Sequence, residues 1–92
     1  MKSNALKIDV TDNVVVALQS LKKGEPVVVD GQHLLDVTED VAAGHKIALT
    51  AIRSGGVVVR YGEPIVQATR DIGAGEWVHV HNTQPIPGGT QG

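Results

Sequence analysis

The sequence predicts a mainly β domain with short helices, built on an internal pseudo-repeat, and three observations lead there. Val occurs fifteen times while Phe is absent and Trp and Tyr occur once each, so the core is β-branched and biased toward sheet. The segment TEDVAAG at 38–44 returns as TRDIGAG at 69–75, a pattern displaced by 31 positions. An apolar residue, two more residues and then a Gly recur four times, at Leu21 to Gly24, Val41 to Gly44, Ile52 to Gly55 and Ile72 to Gly75. Each such Gly marks a turn that needs positive φ, followed by a strand.

The repeat extends beyond these motifs. Gly24 matches Gly55, Val27 and Val28 match Val58 and Val59, and Gly31 matches Gly62. Two related units, about 24–54 and 55–85, therefore account for most of the chain. Period-2 patterning gives strands at 5–10, 26–30, 45–50, 57–61 and 76–81. Segment 12–21, DNVVVALQSL, is expected to be the one longer helix, with Asp12 as N-cap, Val14, Ala17, Leu18 and Leu21 as its apolar stripe, and Gly24 beyond its end. The Thr or Asp before each Gly motif suits a cap on a single helical turn. A folded domain over 1–82 is expected, with a flexible tail at 83–92 where TQPIPGGTQG is rich in Pro and Gly.

Composition removes several functions. Ninety-two residues make one small domain with a thin core. The net charge is −2 and no basic run exceeds Lys22–Lys23, so the footprint of a nucleic-acid binder is missing, and two aromatics make no stacking platform. Without Cys, thiolate nucleophiles, disulfides and Cys-type metal sites are excluded. No apolar run approaches the about 20 residues that span a bilayer, and the N-terminus lacks the apolar core of a signal peptide. A soluble, cytoplasmic protein is the expectation.

The stretch EWVHVHN at 76–82 carries the main chemical signal. On a strand Trp77, His79 and His81 share one face, with the two imidazoles about 7 Å apart at Cα. Neutral imidazole suits Fe(II), Mn, Zn or Co and also exchanges protons near neutral pH; the competing reading is a half-exposed polar strand face. At the repeat offset Ala48 stands for His79 and Thr50 for His81, which argues against an architectural demand for His. His45 stands at a turn exit where the other unit has Glu76, and taken alone it is a surface residue. Arg60 and Tyr61, before Gly62 and Pro64, offer a cation and a phenol to a carboxylate, or simply packing and solubility. Glu39 and Asp40 read as turn caps, and His33 has no assigned role. No nucleotide-binding or hydrolase motif is present, so the chain holds no complete catalytic constellation.

The order AAGHKIAL, VVVRYGEPI and AT-R-D-I-x-A-GE-W-VHVHN resembles the SAF domain of the altronate and galactarate dehydratase family, from about Leu6 to Asn82. The resemblance implies a β-clip fold, which is also similar to that of type III antifreeze proteins and the C-terminal domain of sialic acid synthases. It implies a metal-dependent lyase that removes water from a sugar acid to give a 2-keto-3-deoxy acid, with Fe(II) or Mn(II) as cofactor. A separate large catalytic subunit is the implied partner, with self-association as a further possibility, and a chain ending at Gly92 resembles the small-subunit form or an excised domain. The small subunit of sulfolactate sulfo-lyase is similar, and a non-catalytic assembly or ligand-binding module is the alternative from another class. The resemblance puts His45, Lys46, Tyr61, His79, His81 and Asn82 in the recurring motifs; His45, His79 and His81 are expected to be catalytic, Lys46, Tyr61 and Asn82, together with Arg60, to bind substrate, and His79 and His81 to ligate the metal. Val66 stands where the family commonly has Gly, a departure that bears on substrate specificity.

Overall fold

The computed structural model describes residues 2–87, and every regular element among them is a strand. In order they are β1 (Ala5–Leu6), β2 (Val14–Ala17), β3 (Pro26–Val29), β4 (Gln32–Asp36), β5 (Lys46–Ala48), β6 (Val57–Arg60), β7 (Glu63–Ala68), β8 (Trp77–Val78) and β9 (Thr83–Gln84). Strands β1-β2-β5-β8 form one antiparallel sheet, β3-β4 a hairpin, and β6-β7-β9 a three-stranded sheet. Mainly β is therefore correct. Among the described residues no helix is present, so none is long and apolar enough to cross a membrane.

The expected helix over 12–21 is instead strand β2, and the reason lies in burial on both faces. Val15 and Ala17 pack with Leu21, Val27, Val37, Val41 and Ile47 in one cluster, while Val14 packs with Ala48, Ile52, Val58, Ala68, Ile72 and Val78 in a second. A strand buried on both sides reads as a continuous apolar run, and the spacing Val14, Ala17, Leu18, Leu21 then imitates a helical stripe. Leu18, required by that stripe, is exposed. Nor is Asp12 a helix cap: its carboxylate accepts hydrogen bonds from the Gly62 and Asp9 amides at 2.8 and 3.0 Å, tying the β1–β2 connection to the far hairpin. Burial alone would raise its pKa, but backbone N–H donors from Gly62, Asp9, Tyr61 and Ile8 outweigh it and hold the carboxyl below its ordinary value.

The repeat is present in three dimensions. Hairpins β3-β4 and β6-β7 each carry a bulge at the same place, between Val27 and Val28 and between Val58 and Val59. Each is clamped by an Asn from outside the repeat: Asn4 bonds Val28 N and Pro26 O, and Asn13 bonds Val59 N and Val57 O. The isolated bridges Leu21↔Val41 and Ile52↔Ile72 are also equivalent. Asp40 and Asp71, expected as helical caps, accept from Lys23 N and Ser54 N across those bridges. These connections are turns, not helical turns.

The Gly motifs have the expected positive φ, at 91°, 86°, 86° and 90° for Gly24, Gly44, Gly55 and Gly75. Their tolerance differs. A Cβ on Gly44 meets nothing within 4 Å, whereas one on Gly75 lies 2.6 Å from the Asp36 carbonyl oxygen. Gly44→Ala is expected to cost only the backbone strain of about 1 kcal/mol, and Gly75→Ala to exceed it by about 2 kcal/mol. Urea unfolding of the two variants measures the difference; equal midpoints would contradict the contact at Asp36.

Thr83 and Gln84, assigned to the tail by sequence, pair with Ala68 and Gln67 as β9. The ordered domain thus runs past 82, and residues 88–92 of the expected tail lie outside the described residues.

Candidate functional site: an imidazole cluster around Trp77

Strand β8 pairs with β5 through Lys46↔Val78 and Ile47↔Trp77. One step further along this register His45 faces His79, and their rings stand 4.6 Å apart between centroids. The Trp77 ring lies 5.6 Å from His45, stacks on His79 at 5.4 Å and 14°, and tilts against His81 at 4.6 Å. Residues separated by 32 to 36 positions thus converge on one indole. Trp77 itself is fixed from two sides, by packing against the first core cluster and by its backbone N–H donating to the Glu39 carboxylate at 3.0 Å.

His79 and His81 reach the cluster by a route other than the expected strand. Strand β8 ends at Val78, and His79–Asn82 forms a turn. Asn82 causes this. Its fully buried carboxamide accepts from His79 N at 2.9 Å and donates to Trp77 O at 2.9 Å, while its own N–H donates to His79 O. The Thr83 hydroxyl donates to the same carbonyl. Both backbone polar groups of His79 are therefore engaged, and its side chain projects from a rigid turn. The amide of Asn82, expected in substrate binding, is occupied in building this turn.

The comparison of His79 with Ala48 also changes in three dimensions. Ala48 is fully buried in the second core cluster, whereas His79 is half-buried in a turn, because β5 continues where β8 stops. The residues after the four turn glycines are Glu25, His45, Gly56 and Glu76, and each N–H donates to the carbonyl three residues earlier. The Glu25 and Glu76 carboxylates accept from Lys22 N and Gly73 N, closing their turns. His45 has no such role; its Nδ1 instead accepts from Trp77 Nε1–H at 2.9 Å.

The electrostatics favour neutral imidazole at His79. Burial, then the neighbouring His45, Lys46 and His81, hold its pKa below the usual 6.5. A histidine NMR titration of the chain should place the His79 midpoint below 6.5, and Lys46→Met should move it upward. A midpoint above 6.5 would contradict this environment. Lys46 is itself shifted down, by burial and then by the charge of Arg60. Arg60 donates from Nη2 to the Tyr61 hydroxyl at 3.1 Å and lies over its ring at 4.6 Å, and its Nε is buried without a partner. Tyr61 occupies a left-handed turn position, φ 59°, where the equivalent hairpin has Asp30 at 51°. A bulky residue there is strained, a feature that gathers at functional sites. Among the described residues the one ion pair is His33 with Asp36, an exposed local contact, so Lys46 and Arg60 have no carboxylate partner there.

The sequence singles out the three imidazoles, whereas Trp77 stands in it only as a neighbour on the same strand face. The available signal was that the one Trp in the chain stands two and four residues from His79 and His81. Among the described residues no group of three or more His, Asp or Glu converges as a metal site. The three imidazoles instead surround the indole. The cleft beside Ser20, Leu21, Asp40, Val41 and Trp77 touches none of them, and its counterpart at Ala51, Ile52, Asp71 and Ile72 repeats it in the other unit, so both belong to the architecture.

A small all-β domain that gathers three imidazoles around one indole is the class that fold and site define. The model of the altronate/galactarate dehydratase SAF domain matches residues 3–85, and the chain belongs to that family. Comparison with curated proteins returns no match.

Proposed function

We propose that this chain is the small SAF component of a metal-dependent sugar-acid dehydratase of the altronate/galactarate type, acting with a separate large catalytic subunit. The observation that carries the reading is the gathering of His45, His79 and His81 around Trp77, beside two cations that have no carboxylate partner among the described residues. Such a surface suits an anionic, oxygen-rich substrate. Val80, between two of the imidazoles, is 78% exposed, which is consistent with a partner covering the turn.

In this reading Lys46, Arg60 and Tyr61 bind the substrate carboxylate. His79 and His81 offer imidazole nitrogens to Fe(II) or Mn(II), a donor chemistry that fits these ions but leaves most of the coordination sphere to the large subunit. The bound ion supplies Lewis acidity at the substrate carboxylate and hydroxyl. A base removes the α-proton, the C–O electron pair leaves with hydroxide from the β-carbon, and the resulting enol becomes a 2-keto-3-deoxy acid. One water is lost. His79, kept neutral by its surroundings, is equipped either to donate its lone pair to the ion or to take a proton.

Reconstitution tests this proposal. Neither component alone should turn over a sugar acid, and the mixture should form a 2-keto-3-deoxy acid. Turnover by the isolated chain would contradict the two-component reading, and sulfite release from sulfolactate without dehydration would redirect it to the sulfo-lyase reaction.

A further inference from the structure

The geometry points to a division of labour among the three imidazoles, in which Trp77 fixes the His45 ring in the tautomer that donates a hydrogen bond from Nε2 to a substrate oxygen. An indole N–H only donates, so the His45 Nδ1 that receives it at 2.9 Å must carry a lone pair. The ring proton of neutral His45 then resides on Nε2, and that nitrogen has no lone pair to offer a metal or a proton. His45 thereby differs in chemistry from His79 and His81, for which no ring-nitrogen hydrogen bond is found among the described residues. Trp77 is a positioning residue that acts through His45, and Glu39 in turn anchors the Trp77 backbone.

The substitution pattern at the turn supports this assignment. The equivalent Glu25 and Glu76 brace their own turns, and His45 gives up that bracing to face the indole. A donor aimed at the carboxylate or at the departing hydroxyl of a sugar acid stabilises charge as it develops, which is where such a group acts most strongly. The role rests on the dehydratase reading above.

Nitrogen-15 NMR of histidine in the 92-residue chain reads the tautomer directly. His45 should show a proton on Nε2 and a bare Nδ1, and Trp77→Phe, which keeps a stacking ring but no N–H, should mix the two tautomers. In the reconstituted pair His45→Ala should lower kcat about 100-fold, as removal of a transition-state donor does, whereas His45→Gln, which retains an amide N–H, should keep at least about a tenth of the activity. Trp77→Phe should cost about tenfold in wild type and little in the His45→Gln background, the non-additivity expected of residues acting as a unit. A proton on His45 Nδ1, His45→Gln as inactive as His45→Ala, or equal Trp77→Phe effects in both backgrounds would each overturn the proposal. A wild-type pair with no turnover would instead overturn the dehydratase reading itself.

Discussion

His79→Ala and His81→Ala are each expected to lower kcat of the reconstituted enzyme by at least about 100-fold while leaving the complex assembled. The size follows from the roles available to them. A positioned acid or base contributes about 10²–10⁴-fold, and a lost metal ligand acts on every turnover. His79 should be the more sensitive because both of its backbone groups are locked and its surroundings keep the ring neutral. Neither ring belongs to either core cluster, so the unfolding midpoint of the domain should move little. Retained turnover and retained metal content in both variants would leave the pair without a chemical role and favour a module that only assembles or stabilises its partner.

Asn82→Ala should lower stability by about 2–4 kcal/mol, together with a loss of activity. Asn82 is fully buried, and its carboxamide satisfies His79 N and Trp77 O at once. Alanine removes both partners and leaves a donor and an acceptor unpaired near the core, each at about 1–3 kcal/mol. The turn that aims His79 would also be free to continue as strand, rotating the imidazole away from Trp77. Chemical denaturation gives the first quantity, and loss of the ring-current shifts that Trp77 imposes on His79 and His81 gives the second. A variant with wild-type stability and unchanged histidine shifts would contradict the role of Asn82 as builder of the turn.

What could be read from the sequence follows from which features are local. The recurring Gly motifs and the 31-residue repeat are local patterns, and the positive φ values, paired bulges and paired bridges follow them. The helix over 12–21 fails because VVVA is buried on both faces by elements on either side of it in the chain, from Ala5 to Val78, and that burial leaves no alternation to distinguish strand from helix. The three imidazoles were legible from EWVHVHN and GHK. Their meeting was not, because the β5–β8 register that brings His45 opposite His79 is a long-range pairing. Asn82 illustrates the same limit from the other side: its motif suggests contact with substrate, while the fold engages its amide in holding the turn.

In the proposed reading the imidazole cluster is one part of an active site completed by another chain. The most direct measurement is a crystal structure of the assembled small and large subunits with a bound sugar acid. His45 Nε2 is expected within hydrogen-bonding distance of a substrate oxygen, Lys46 and Arg60 at a substrate carboxylate, and His79 and His81 turned toward the reacting carbons or their metal. A complex in which this turn faces bulk solvent, with the sugar acid enclosed by the large subunit alone, would contradict it.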